Sequence, residues 1–310
     1  MTDLKRRINA FTKLGEFFGE FCEFEKKDPK NGGNQNPFLE EFYQKIILAQ
    51  HKNGWFTEEN CLFSIKGWAE LLTRENLEEW LTPYQISQSN PKTIALILAG
   101  NIPLVGFHDF LAVLITGNRA LIKLSSNDNI LFPLIANFLI EVEPDLRDNI
   151  IFAEDRLKDF DGVIATGSNN TSLYFEHYFG KKPNIIRKNR NSVAVLTGNE
   201  TEEQLQALGE DIFRYYGLGC RSVSKLYVPD GYDFDNFYKA IYIYNPIHDL
   251  VKYSNNYDYN KAVYLMSEFK ILDNGFLMLK EDPSFASPIA TLFYEAYSSL
   301  EQLKNDLVAY

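Results

Sequence analysis

Cys220 is the residue with the most chemistry to offer. It stands between Gly219 and Arg221 in the stretch Gly217-Leu218-Gly219-Cys220-Arg221-Ser222, which joins a helix-like segment to a strand-like one. A thiol attacks as its thiolate, and a neighbouring cation such as Arg221 favours that form. Flanking glycines let backbone N–H groups come close to a substrate carbonyl. A free cysteine is as often a small buried hydrophobe, and the local residues leave the two readings open. Cys22 and Cys61 lie in amphipathic helical sequence and read as core or surface positions.

Three other places carry polar groups where a parallel sheet would use them. Asn101 follows an apolar run, in Gly100-Asn101-Ile102-Pro103. An amide there can donate to a developing oxyanion or simply close an Asx-turn. Lys123 ends the next apolar run; it can reach a nucleotide ribose or phosphate, or stand as a solvated strand-end lysine. Gly167-Ser168 precedes a helical segment, whose first-turn N–H groups would bind an anion; an ordinary Ser N-cap is the plain alternative. His108 and His177 stand in helical sequence and read as packed or surface residues.

The bulk composition narrows the classes. The chain has 310 residues, 45% hydrophobic and 24% charged, as in ordinary globular proteins, and a net charge of -11. Nucleic-acid binding needs a surplus of Lys and Arg, so nucleic acid is not an expected partner. Three scattered cysteines do not make a disulfide framework, and the four histidines are far apart, so no metal centre is expected. Met1 to Arg7 is followed by no apolar run, so no signal peptide is expected. No stretch reaches the roughly 20 apolar residues of an integral membrane segment. Together these point to a cytoplasmic protein.

The elements that must hold these residues follow from periodicity. Leu4, Ile8, Phe11, Leu14 and Phe18 recur at helical spacing, as do Phe38, Phe42, Ile46 and Leu48, and a further helix is expected around Trp68, Leu71, Leu72 and Leu77. Asp28 to Asn36 reads as a loop between the first two, and Gln85 to Pro91 ends the all-helical part. From Thr93 the pattern becomes strand and helix in alternation. Strands are expected over Thr93–Ala99, Ala120–Lys123, Asn149–Ala153, Asp161–Ala165, around Ile185, and over Val193–Leu196 and Lys225–Val228. A helix is expected from Val105 to Ile115, and another after a cap at Ser126 to Asp128. Thr201 and Gln204 form a capping box for a helix with Leu205, Leu208 and Ile212 on one face, which Gly217 stops. The fold class is therefore α/β with a doubly wound parallel sheet. The Tyr- and Phe-rich segment 232–264 reads mostly as core, with an acyl-pocket wall as the alternative.

There is no G-x-G-x-x-G and no P-loop, so any nucleotide is held by another loop design. The order of the polar sites is more telling than each alone. An Asn-x-Pro turn, a strand-end Lys, a Thr-Gly-Ser turn and a Gly-flanked Cys follow one another, and this resembles the aldehyde dehydrogenase superfamily. The segments AGNIPLVGFHDFLAVLITGNRALIKLSSND (residues 99–128) and GLGCRSVSKLYVP (217–229) are similar to its acyl-CoA reductase branch, related to the fatty-acid reductase of bacterial luminescence. The resemblance extends over 93–305. It implies an aldehyde-dehydrogenase-like architecture: a helical N-terminal region, 1–92, packed on a nucleotide-binding domain, 93–190, and a second α/β catalytic domain, 191–310. Most of the superfamily continues well beyond this, so the last domain is either C-terminally short or of a short branch.

By motif position the resemblance implies Cys220 as catalytic thiol and Asn101 as oxyanion donor. It likewise implies Lys123 at the adenosine ribose and Gly167 and Ser168 beneath a cofactor pyrophosphate. Ser287-Pro288 looks like a degenerate Gly-Pro turn before a catalytic-domain strand. Two departures sharpen this. Oxidising members carry a Glu base about 34 residues before the Cys, to activate water; counting back reaches Ile186, and no acidic residue lies between Glu176 and Glu200. Ser126 occupies the position where NAD-preferring members place a ribose-binding Glu, which favours NADPH, with NADH as the alternative. The resemblance thus implies reduction of an acyl-CoA or other acyl thioester to an aldehyde through a cysteine thioester. The alternatives are an NAD(P)-dependent aldehyde dehydrogenase forming the acid, or a non-catalytic scaffold. A homo-oligomer or a synthetase partner is in keeping with the branch.

Overall fold

The computed structural model describes residues 3–25, 37–86 and 90–308. The loop expected at 28–36, and residues 87–89 of the polar run, lie outside the described residues. The chain divides into two compact units, Met1–Asn189 and Arg190–Tyr310.

The first unit opens with four helices: α1 (Asp3–Glu25), α2 (Pro37–Lys52), α3 (Glu58–Leu71) and α4 (Arg74–Leu81). Ile8, Phe11, Leu14 and Phe18 of α1 are buried, and so are Leu39, Phe42, Ile46 and Ala49 of α2, three or four residues apart on one face. Leu48, expected with them, sits off that stripe and is half exposed; Leu71 is likewise outside, while Leu72 turns in. Thr57 and Thr73 cap α3 and α4 through their side-chain oxygens.

A five-stranded parallel sheet follows, formed by β1 (Thr93–Ile97), β2 (Arg119–Lys123), β3 (Ile150–Phe152), β4 (Gly162–Thr166) and β5 (Asn184–Arg187) in the spatial order 3-2-1-4-5. Helices α5 (Phe107–Ile115) and α6 (Leu131–Val142) join β1 to β2 and β2 to β3, and α7 (Asn169–Phe179) joins β4 to β5. The sheet is doubly wound. Leu96, Ala120 and Ile122 face a large core shared with α1 to α6. Ala95, Val163 and Ala165 face the other way, toward Phe175 and Phe179 of α7.

The cap expected for α6 is not made. The helix begins at Leu131 without a side-chain cap, because the Asp128 carboxyl accepts the Leu104 N–H and the Ser125 hydroxyl accepts the Asn127 N–H.

The second unit is built on a mixed sheet of β6 (Ser192–Val195), β7 (Val223–Pro229), β8 (Ile271–Asp273), β9 (Met278–Glu281) and β10 (Thr291–Tyr297), in the order 6-7-10-9-8, with only the β8–β9 pair antiparallel. Helices α8 (Glu202–Phe213) and α9 (Asp235–Ile241) pack on one face, over Leu226, Val228, Leu279 and Leu292. The Thr201–Gln204 capping box is present at the start of α8. α10 (Val251–Met266) and α11 (Leu300–Val308) complete the unit. The opposite sheet face buries Lys225, whose ammonium donates to Glu295 Oε2 at 2.7 Å and to the Pro283 carbonyl at 2.8 Å. Among the described residues no helix is long and apolar enough to cross a membrane.

Asp128 is 3% exposed, and desolvation pushes its carboxyl from 3.8 up to about 7. The folded-state value lies above the unfolded one, so folding takes up a proton between the two. Stability from this group is therefore lost as pH rises from about 4 to about 7 and is level above. Asp128→Asn is expected to raise Tm at about pH 8 and leave it unchanged at about pH 4, read from thermal melts of both proteins across that range.

Candidate active site

The register of the first sheet gathers three polar sites on one edge. Ile97 of β1 lies opposite Lys123 of β2 and Ala165 of β4. Asn101, Lys123 with Ser126, and Gly167 with Ser168 therefore leave the sheet from its carboxyl end, where open α/β sheets bind ligands. Asn101 and Ser126 are exposed. The Lys123 ammonium donates to the Glu154 carbonyl at 2.5 Å, at the end of β3; an ammonium has three N–H donors in all.

Two glycines make this edge possible. A Cβ on Gly100 would lie 2.5 Å from the Ser125 hydroxyl and 3.2 Å from the Asp128 nitrogen. A Cβ on Gly167 would lie 2.9 Å from the Phe175 ring and 3.1 Å from Thr171. Gly167 N–H is fixed to the Arg187 carbonyl of β5 at 3.1 Å. Ser168 is the N-cap of α7, its hydroxyl accepting the Thr171 N–H at 3.2 Å. The plain reading of Ser168 is thus realised. It is compatible with an anion, because capping satisfies one first-turn amide and leaves others pointing outward.

An ion pair at this edge is not apparent in the sequence. Arg187 ends β5 and donates from Nη1 to Asp109 Oδ2 of α5 at 2.6 Å. Burial of Asp109 would raise its pKa, but hydrogen bonds from His108 and Arg187 outweigh it and hold the carboxylate below its usual range. A lone Asp on the buried, otherwise apolar face of α5 was the available signal; its partner lies 78 residues away. His108 and His177 are both exposed.

In the second unit Cys220 lies on a turn between α8 and β7. The helix ends at Phe213, earlier than Gly217: Arg214 is already extended (ψ 134°), and Tyr215 (φ 54°), Tyr216 (φ 59°) and Gly217 (φ 75°) then take left-handed conformations in succession. Each tyrosine stores about 1 kcal/mol or more of backbone strain. The chain then closes a tight turn, Ser222 N–H to Gly219 carbonyl at 3.0 Å, with Cys220 and Arg221 exposed at its tip. Cys61, by contrast, is fully buried, and burial pushes its thiol up to about 12; Cys22 is half buried.

The residues on either side of this turn, Tyr216, Gly217, Val223 and Ser224, line a pocket shared with Tyr253, Leu277 and the segment Ser287–Thr291. That segment is tied down by β7 and α10. Ser224 Oγ donates to the Phe285 carbonyl at 2.6 Å, and Asn260 Nδ2 to the Ile289 carbonyl at 2.9 Å. Ser287-Pro288 thus borders the thiol turn within its own unit and leads into β10, as the sequence suggests. In the aromatic segment, Phe234, Phe237, Tyr257 and Tyr264 are core, and Tyr253 both packs and lines the pocket.

The contrast between the thiols is directly testable. In native protein, iodoacetamide is expected to label Cys220 first and to leave Cys61 unmodified until the chain is unfolded, as read by peptide mass. Equal native labelling of both would contradict the exposure difference.

Comparison with known proteins bears on the same residues. The family model described as "Acyl-CoA reductase (LuxC)" matches residues 48–243, a span that holds Asn101, Lys123, Ser126, Gly167, Ser168 and Cys220. The chain is 26% identical over 224 residues to a long-chain acyl-protein thioester reductase of Photobacterium leiognathi, covering 66% of this chain and 46% of the relative. It is 24% identical over 226 residues to the corresponding reductase of Aliivibrio fischeri, covering 66% and 47%. The match thus spans about half the length of these relatives. Among solved structures, an indole-3-acetaldehyde dehydrogenase in complex with NAD+ superposes with a TM-score of 0.67 at 14% identity, over 96% of this chain and 68% of the other. The NAD+ complex of an aldehyde dehydrogenase from Bacillus cereus gives 0.66 at 14% identity, over 98% and 69%. At such identities the likeness shows the aldehyde-dehydrogenase-like fold. The family match extends over most of the chain and takes in both the carboxyl-edge residues and the thiol turn, and so this chain belongs to the acyl-CoA reductase (LuxC) family.

Proposed function

We propose that this chain reduces an acyl thioester, an acyl-CoA or acyl-protein, to an aldehyde with NADPH, in the cytoplasm, through a thioester on Cys220. The observation that carries the reading is the exposed thiol at the tip of a Gly-flanked turn inside the span matched by the acyl-CoA reductase family. In this reading residues 93–190 hold the cofactor and 191–310 carry the thiol.

Several features of the carboxyl edge fit a nicotinamide dinucleotide. Gly167 lets the chain pass with no side chain between it and α7, the Ser168-capped helix end favours a pyrophosphate, and Lys123 keeps donors for the ribose. The exposed Ser126 puts no carboxylate where a 2′-phosphate would lie. When bound, the reduced nicotinamide supplies the hydride.

The chain's own residues do the rest. Cys220 thiolate adds to the thioester carbonyl. The Asn101 amide and the Cys220 N–H are assigned the oxyanion, each such donor being worth about 3 kcal/mol in the transition state. The carbon–sulfur bond to the carrier breaks, and the carrier leaves with a proton as free thiol. After reduction, the thiohemiacetal on Cys220 collapses to aldehyde and thiolate. No carboxylate stands at Ile186 to activate water against the acyl-enzyme, so a thiol carrier is the exchange partner.

Cys220→Ser is expected to reduce acyl-CoA-dependent NADPH oxidation to background while NADPH still quenches or shifts its fluorescence on binding. Turnover at the wild-type rate in that variant would sink the assignment. Ser126→Glu is expected to move the ratio of NADPH to NADH affinity toward NADH by about tenfold or more, through repulsion of the 2′-phosphate. An unchanged ratio, measured by titration of each cofactor, would remove Ser126 from the cofactor site.

A further inference from the structure

The carboxyl edge holds two buried carboxyls that the mechanism above does not use, Asp109, which is paired with Arg187, and Asp128. Asp128 lies between β2 and α6 and is 3% exposed. Its Oδ2 accepts the Leu104 N–H at 3.3 Å; its Oδ1 is buried and has no hydrogen-bond partner among the described residues. Leu104 is three residues after Asn101, in the loop that joins β1 to α5. It is itself 1% exposed and has a left-handed backbone, φ 56°. A branched side chain avoids that conformation, and here it directly follows Pro103, which fixes its own φ. The turn persists because the Leu104 side chain is drawn into the core and its N–H is captured by Asp128.

The surrounding contacts lock the same two loops together. Gly100, just before Asn101, packs so closely on Ser125 and the Asp128 backbone that a Cβ has no room. Ser64 of α3 donates to the Pro103 carbonyl at 3.1 Å. Asn53 donates to the Asn127 carbonyl at 3.3 Å, and Lys52 to the Asn129 side chain at 2.7 Å. The loop after β1 is thus gripped at Gly100, Pro103 and Leu104, and Asn101 at its tip is exposed.

We propose that Asp128 is the positioning residue of Asn101: by accepting the Leu104 N–H it fixes the left-handed turn that sets where the Asn101 amide stands. This rests on Asn101 being the oxyanion donor. Asp128 touches no substrate; it acts through the loop. An acceptor oxygen is all the role requires, so asparagine serves and alanine does not.

The test uses the full chain and a long-chain acyl-CoA, following acyl transfer to Cys220 by intact mass in single turnover. Asp128→Ala is expected to slow acylation about 100-fold, as a donor displaced by about an ångström does, with NADPH affinity unchanged. Asp128→Asn is expected to recover most of the rate. In an Asn101→Ala background, Asp128→Ala is expected to add little, since both changes remove one interaction. Additive losses, or an Asn variant as slow as the Ala variant, would overturn the proposal. The loop is read separately by hydrogen exchange at Leu104: faster exchange in Asp128→Ala with retained protection in Asp128→Asn supports the coupling, and unchanged exchange overturns it. Should Asn101→Ala acylate at the wild-type rate, the oxyanion assignment fails, and the exchange data still decide whether Asp128 holds the loop.

Discussion

The register of β1 between β2 and β4 is the constraint from which the first unit's polar edge follows. Parallel strands need crossovers, so each chain end leaves the sheet on the same side and every loop at that side competes for the same space. With Ile97 level with Lys123 and Ala165, the loops after β1, β2 and β4 emerge side by side. They fit only because Gly100 and Gly167 carry no side chain. The same crowding that excludes a Cβ brings backbone N–H groups to the surface and leaves Asn101, Ser126 and Ser168 exposed at the tips. The N-terminal helices serve this arrangement as well: α2 and α3 reach the loops through Lys52, Asn53 and Ser64.

The thiol turn of the second unit solves a different problem by related means. A helix that ran on past Phe213 would carry Cys220 on a regular surface, half covered by its own side chains. An extended Arg214 and three left-handed residues end it abruptly, and the Gly219–Ser222 turn then exposes the thiol just before β7 enters the sheet. That strand is anchored from within: Lys225 is buried with its ammonium over the rings of Tyr227 and Phe285, at 4.9 and 5.0 Å, and bound to Glu295. Strain in the turn is tolerable because both ends are held by packed elements. The segment through Ser287-Pro288 is fastened to the same strand through Ser224 and to α10 through Asn260, so both elements hold the wall of the pocket beside the turn.

Much of this was legible in the residues. The α1 stripe, the apolar run of β1, the strand ending at Lys123 and the Thr201–Gln204 box each declare themselves through local spacing, and the structure contains them all. The failures share a cause. Ser126 to Asp128 has the composition of a helix cap, but Asp128 is drawn to a donor 24 residues back in the sequence. Leu48 fits a helical count only loosely and faces out, since the neighbours that define the buried side are Phe42, Ile46 and Ala49. The stop after Phe213 is made by an extended Arg214 followed by two tyrosines in a conformation their type disfavours, so only the glycine that follows was readable. Local sequence carries local preference; where a side chain answers to a partner far along the chain, the preference is overridden.

Ile186 offers no carboxylate to act as a base, and the carboxylate bound to the residue after it is a poor one. β5 ends with Arg187, directly after Ile186, and the carboxylate paired with that arginine is Asp109 of α5. A general base must give up its charge to a proton readily, which calls for a pKa near the working pH. Asp109 is the reverse: its side chain is 10% exposed, it is bound at 2.6 Å to a guanidinium, and its pKa is held below the usual carboxylate range. A carboxylate stabilised in that way ties α5 to the edge strand but activates water poorly.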